Sequence, residues 1–119
     1  MAFDKNLVDR LRELLVENTN EDIVEKPMFG GIAFLVNGKM CINVSGNRLM
    51  CRFDPKRSGQ LNEREGVEPM IMREKVLDGY CYVNPEGYKS KNDFEFWINI
   101  CLDFNSQAQA SIKQPKKKN

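Results

Sequence analysis

Cysteine is the residue type in this chain that most readily suggests chemistry, either metal binding or nucleophilic attack. The four cysteines are Cys41, Cys51, Cys81 and Cys101, and histidine is absent from the whole sequence. Without histidine, Ser-His-Asp and Cys-His nucleophiles and every histidine-containing metal site are excluded. The cysteines are far apart and form no C-x-x-C pair, whereas structural zinc ligands are usually closely spaced. We therefore expect buried free thiols, with no disulfide and no bound metal.

The carboxylates and the glycine pair indicate no catalytic or cofactor site. Glu63, Glu65 and Glu68 lie in polar sequence and are expected to form a solvated face. Gly30 and Gly31 lack the G-x-G-x-x-G or G-K-[ST] context of a phosphate loop, and a strand follows them instead of a helix. A β-bulge or a close backbone approach explains such glycines better. The sequence therefore favours a protein that is not an enzyme and holds no cofactor.

Length, charge and hydropathy restrict the class of protein further. The chain has 119 residues, which suits one domain with one core, and its formal net charge is +1. That charge gives no broad basic field for DNA binding. No stretch approaches the roughly 20 apolar residues of a membrane span, and the charges in 1–12 argue against a secretory signal. We expect a cytoplasmic domain over 1–106, followed by a disordered basic tail over 107–119.

Amphipathic patterns predict a helix near each end of the domain. The first is expected over Asp4–Asn18, with its opening aspartate as the N-cap. The last is expected to be capped by Ser90 or Asn92 and to continue to about Phe104. A polar, weaker helix is expected over 56–65. These helices flank the segments with strand character.

The strand patterns predict an antiparallel sheet. Three strands form a meander whose tight turns are Asn37-Gly38 and Gly46-Asn47. The stretch 22–28 is ambiguous and is expected to be an extended approach to the sheet. Two further strands are expected over 69–73 and 80–83. The order is that of an α+β fold, with helices packed on an antiparallel sheet.

The two turns define a register that would bury one face of the meander. Two-residue loops pair Ala33 with Ile42, and Ile42 with Cys51. The alternative, a three-residue second loop, would place Arg48 and Arg52 in that face, at a cost that no turn preference could offset. The predicted apolar face consists of Ala33, Leu35, Met40, Ile42, Val44, Leu49, Cys51 and Phe53.

The opposite face of the meander combines an apolar strip with positive charge, and Cys41 is expected there, away from Cys51. Such a face suits either a cover formed by the chain's own helices or a protein interface, including a homodimer interface, and both remain open. The residues expected to face a partner are Ile32, Phe34, Lys39, Arg48, Met50 and Arg52.

A nucleic-acid-binding accessory protein is the alternative function. It would use Lys39, Arg48, Arg52 and the lysines of the tail, and its binding would be weak and sensitive to salt.

A family resemblance supplies the functional expectation. The run Met28-Phe29-Gly30-Gly31, followed by Ile32-Ala33-Phe34 and Asn37-Gly38-Lys39-Met40, resembles the N-terminal domain of the TfoX/Sxy family of bacterial competence regulators. The resemblance implies an α-β3-α-β2-α fold like that of type III secretion chaperones. It also implies transcriptional regulation of DNA-uptake genes together with a cyclic-AMP-responsive activator protein.

The resemblance transfers no catalytic residues, and full-length members of the family carry a second, C-terminal domain. We therefore expect a stand-alone family domain that acts through protein contacts and has no membrane partner.

Overall fold

The computed structural model describes residues 3–28 and 30–108. In chain order these contain α1 (Lys5–Asn18), β1 (Ile23–Met28), β2 (Gly31–Val36), β3 (Lys39–Ser45), β4 (Arg48–Arg52), α2 (Ser58–Leu61), β5 (Val67–Met72), β6 (Lys75–Val83) and α3 (Lys91–Asn105). Within the described residues the strands form one antiparallel sheet in the order β1-β2-β3-β4-β6-β5. The predicted α+β class is confirmed. The part of the predicted basic tail that begins at residue 109 lies outside the described residues.

The two long helices begin at side-chain caps. The Asp4 carboxylate accepts a hydrogen bond from the N–H of Asn6 at 2.9 Å, which satisfies a backbone donor that the first turn of α1 leaves free. The Ser90 hydroxyl accepts from the N–H of Asp93 at 3.0 Å and caps α3 in the same way. No helix in the described part of the chain has the length and apolar character that crossing a bilayer requires.

The main core lies between the helices and one face of the sheet. It combines the apolar stripes of α1 and α3 with alternate residues of the central strands. Trp97 of α3 is fully buried there, and its indole N–H donates to the Gly87 carbonyl at 3.2 Å. The largest fully buried side chains in the described residues include Trp97, Phe34, Phe53, Phe94, Leu11 and Leu15.

The stretch predicted to be an extended approach is itself an edge strand. β1 pairs with β2 along its whole length, from Ile23 opposite Val36 to Met28 opposite Gly31. The structure therefore has four strands before α2, one more than the implied α-β3-α-β2-α order. The strand signal is weak because polar residues and Pro27 interrupt the stretch, although an edge strand tolerates a proline that cannot donate to a ladder.

The hairpin between β5 and β6 also turns at an unexpected place. Asp78-Gly79 has the composition of a turn, but both residues lie inside β6. The chain instead reverses at Arg73 and Glu74, with φ of 53° and 68°. These values belong to the left-handed region that side chains other than glycine adopt rarely, so composition alone could not locate this turn.

The predicted register between β3 and β4 is confirmed. Val44 lies opposite Leu49 and Ile42 lies opposite Cys51, with a two-residue loop that begins at Gly46. Gly46 has φ of +64°, as the first position of that loop requires.

The predicted register between β2 and β3 is wrong beyond the first pairs. Leu35 lies opposite Met40 as expected, but a bulge follows, and Phe34 instead of Ala33 lies opposite Ile42. The extra residue on β3 is Cys41. A bulge of one residue changes which side chains of β2 face the helices.

This bulge divides the predicted apolar face between the two sides of the sheet. Ala33, Leu35 and Met40 lie on the side away from the helices, whereas Phe34 and Val36 belong to the main core. Phe34 was expected to face a partner, but it is fully buried in the main core and is inaccessible in this fold. Ile32 packs partly buried against the same core.

Replacing Phe34 tests this placement. Phe34→Ala should lower the free energy of unfolding by about 3–5 kcal/mol, because it leaves a cavity in the main core. Val16→Ala, at a side chain that is 62% exposed on α1, is the control and should have little effect. Urea unfolding measures both variants, and a loss below about 1 kcal/mol for Phe34→Ala would place this ring outside the core.

Candidate functional site

The side of the sheet away from the helices carries a second apolar cluster, which we call the helix-free face. Only strand residues contribute to this cluster among the described residues. Its buried members are Ala33, Leu35, Met40, Met50 and Met70, and Met28, Leu77, Tyr80 and Tyr82 pack against them partly exposed.

Strand register places mostly basic residues on the helix-free face. Lys26 lies opposite Ala33, and Glu68 lies opposite Tyr82. Because side chains alternate along a strand, the residues two positions from Met50 and from Leu77 share this face. The charged residues placed there are Lys26, Arg48, Arg52 and Lys75, with Glu68 as the acidic member. This excess of positive charge is larger than the net charge of +1 for the whole chain.

Two arginines lie over tyrosine rings on this face. The guanidinium of Arg48 is 3.8 Å from the centroid of Tyr82 and also pairs with the Glu68 carboxylate at 3.0 Å. The guanidinium of Arg52 is 5.8 Å from the centroid of Tyr80 and donates to the Met40 carbonyl at 3.3 Å. Stacking on a ring reduces the conformational freedom of each arginine side chain, while the guanidinium stays partly hydrated. The face therefore presents positive charges at defined positions.

The residues proposed for nucleic-acid binding do not form one surface. The Lys39 ammonium donates to the Ser106 carbonyl at 3.4 Å, just after α3, on the helix side of the sheet. Arg48 and Arg52 lie on the opposite side, and the tail lysines lie outside the described residues. Lys39 therefore lies on the other side of the sheet from the two arginines.

The glycine pair of the Met-Phe-Gly-Gly run has a steric role. Phe29 lies outside the described residues, and Gly30 has φ of +75°. A Cβ on Gly31 would overlap the carbonyl oxygen of Val44 and lie 2.9 Å from its carbonyl carbon. This is the close backbone approach that the sequence predicts, and at Gly31 only glycine permits it. A Cβ on Gly30 would meet nothing within 4 Å, so its positive φ, and not a lack of space, favours glycine there.

Asn43 links the same glycine to the edge strand. Its side chain is fully buried, and its Nδ2 donates to the Met28 carbonyl at 3.1 Å. A Cβ on Gly31 would also lie 3.1 Å from Asn43 Oδ1, so the missing side chain leaves the space through which Asn43 reaches β1. The run therefore joins β1, β2 and β3 at one end of the sheet.

The four cysteines converge in the main core, which their spacing does not predict. Cys51 lies opposite Cys81, and the thiols of Cys41 and Cys51 hydrogen-bond to Cys101. All four are free and buried. Cys41 was expected on the face away from Cys51, and this is wrong because Cys41 is the bulged residue.

Burial controls the chemistry of these thiols. The hydrogen bond to Cys101, together with burial, raises the pKa of Cys41, and burial raises the pKa of Cys51. Burial acts on Cys101 in the same direction, but the hydrogen bonds that it receives from Cys41 and Cys51 outweigh burial and lower the pKa of Cys101. A thiol that reagents and ions cannot reach is a poor nucleophile and a poor metal ligand. Among the described residues, no group of three or more ligating side chains is arranged to hold a metal ion.

The carboxylates predicted to be solvated are exposed. Glu63, Glu65 and Glu68 all lie at the surface, and only Glu68 forms an ion pair, with Arg48. No apolar cleft surrounds them.

The comparison with known families identifies the chain's relatives. A family model described as the TfoX N-terminal domain matches residues 15–105. This range begins near the end of α1 and includes the whole sheet and α3. The comparisons with curated proteins and with solved structures found no match.

Replacing Gly31 tests the steric role of the glycine pair. Gly31→Ala should lower the free energy of unfolding by at least about 2 kcal/mol, because the new methyl group overlaps the backbone of β3. Gly59→Ala is the matched control, since its Cβ would meet nothing within 4 Å. It lies in α2 and should change stability by less than about 1 kcal/mol, in the stabilising direction. Equal effects in thermal unfolding would contradict the close approach.

The thiols should be unreactive in the folded protein. A disulfide dye should label none of the four cysteines in native buffer and all four in denaturant, because labelling requires an accessible thiolate. Zinc analysis of the same sample should find no stoichiometric metal. Fast native labelling, or one equivalent of zinc per chain, would contradict the inert core that the burial of these thiols implies.

Proposed function

The chain belongs to the TfoX N-terminal domain family, and from that premise we propose that it is a competence-related regulatory domain that acts through protein contacts. The helix-free face is the proposed contact surface. The role is proposed to be non-enzymatic, to take place in the cytoplasm and to influence transcription of genes for DNA uptake.

The observation that carries this proposal is the composition of the helix-free face. Its arginine-tyrosine pairs are partly exposed, and arginine and tyrosine are enriched where proteins meet. Exposed apolar side chains extend the face at both of its ends. Val24 of β1, opposite Leu35, is 52% exposed, and Met72 of β5 is 48% exposed.

The chemistry of the remaining groups supports a non-enzymatic role. The thiols are buried beyond the reach of a substrate, and the carboxylates in the polar stretch are exposed, so neither set lines an enclosed site open to a substrate. Histidine, the usual general base, is absent from the chain. The surface with the most distinctive composition is therefore one suited to binding.

Charge placed on the exposed apolar ends of the face tests this function in the native host. The double variant Val24→Asp with Met72→Asp should lower transcription of DNA-uptake genes by at least tenfold, the factor expected for a loss of about 1.4 kcal/mol in binding. Val16→Asp, at a valine on α1 that is 62% exposed, is the control and should leave transcription unchanged. Reporter fusions measure transcription, with protein abundance checked in each strain.

Two results would contradict the proposal. A folded, normally abundant double variant with wild-type transcription would remove the helix-free face as the contact surface. Unchanged transcription after deletion of the whole gene would remove the regulatory role.

A further inference from the structure

We infer that the partner of the helix-free face is an acidic protein segment that also carries apolar side chains. This inference rests on the proposed function and specifies the chemistry of the partner at the same surface.

The arrangement of charge on the face supports an acidic partner. Lys26, Ala33, Asn43, Met50 and Tyr82 lie opposite one another in turn and form one row across the sheet. Arg48 and Arg52 flank this row on β4, two residues to either side of Met50. Neighbouring strands are about 4.8 Å apart, so the row from β1 to β6 is about 19 Å long. Ala33, Asn43 and Met50 are fully buried, so a partner would meet this row at its two ends. An extended segment of about six residues spans that distance and can place carboxylates near Lys26 at one end and near Arg48 at the other.

The stacked arginines favour carboxylates as ligands. Arg48 lies at 3.8 Å over Tyr82, so part of its conformational freedom is lost before any partner binds. Its ion pair with Glu68 joins side chains that are 32% and 55% exposed, and such a pair contributes little stability. A carboxylate of the partner can therefore join or replace Glu68 at low cost, and a guanidinium binds a carboxylate through two parallel hydrogen bonds.

The charge on the face disfavours a second copy of this chain as the occupant. A second copy placed face to face would bring two basic surfaces together, which repel each other.

The apolar part of the face favours protein over nucleic acid. Val24 and Met72 are about half exposed on the two edge strands of the sheet, and Leu77 is partly exposed on the strand next to Met72. A phosphate backbone offers no apolar surface to cover these side chains, whereas a peptide with leucine or phenylalanine among its acidic residues does. Methionine adapts its shape readily to such a partner.

The test is a titration of the isotope-labelled full chain, followed by NMR. The probe is a synthetic peptide that alternates glutamate with leucine, and the comparison probes are its glutamine version and an oligonucleotide of equal charge. The acidic peptide should shift the amide signals of the helix-free face, and its binding should weaken as salt increases. Lys26→Glu with Lys75→Glu should raise its Kd at least tenfold.

A matched double variant separates local charge from net charge. Lys5→Glu with Lys91→Glu changes the net charge equally, at exposed positions on α1 and α3. It should leave the Kd within about twofold of wild type, because these sites lie away from the face.

Several outcomes would overturn the inference. They are equal affinity for the glutamine peptide, tighter binding of the oligonucleotide at the same face, unchanged affinity in the Lys26 and Lys75 variant, and no binding of the acidic peptide. If the face is required in the reporter experiment but the acidic peptide does not bind, the proposed function stands and the partner chemistry is wrong. If the peptide binds but the reporter does not respond to the face variant, the proposed function fails independently.

Discussion

The bulge at Cys41 is the constraint on which the two faces of this domain depend. Before it, Leu35 lies opposite Met40, and after it, Phe34 lies opposite Ile42. The single extra residue on β3 brings the bulky Phe34 and Val36 into the main core and leaves Ala33, Leu35 and Met40 on the other side. Without the bulge, the phenylalanine ring would lie where the second cluster is, and the side of the sheet away from the helices would be broadly apolar. With it, that side has a smaller apolar cluster, where Arg48 and Arg52 lie over Tyr82 and Tyr80.

The close approach at Gly31 holds the end of the sheet where this layer begins. The absent side chain lets β2 lie against the backbone of Val44 and lets Asn43 donate to the Met28 carbonyl. This connection holds β1 in place, and β1 supplies Lys26 and Val24 to the helix-free face. Gly31 of the family motif therefore acts on the proposed contact surface through packing, by way of Asn43 and β1. The buried Asn43 side chain and Gly31 together therefore position the charge of Lys26, several residues away along the chain.

Much of the fold could be predicted from the sequence, because local patterns determine it. The capped helices follow from their apolar periodicity, and the β3–β4 register follows from the loop at Gly46. The faces of β2 could not be predicted, because every residue from Ile32 to Val36 is apolar and alternation carries no information there. The strand before Phe29 was obscured by Pro27 and its charged neighbours. The convergence of the four cysteines depends on strand order, which spacing along the chain does not encode.

The measurement that most directly tests this account is the set of cross-strand nuclear Overhauser contacts between β2 and β3 in the labelled protein. The account predicts backbone contacts between Phe34 and Ile42 and between Ala33 and Asn43, together with contacts from the Phe34 ring to side chains of the main core. Backbone contacts between Ala33 and Ile42, with the Phe34 ring in water, would contradict it. In that case the helix-free face would have a different composition, and both proposals built on it would fail.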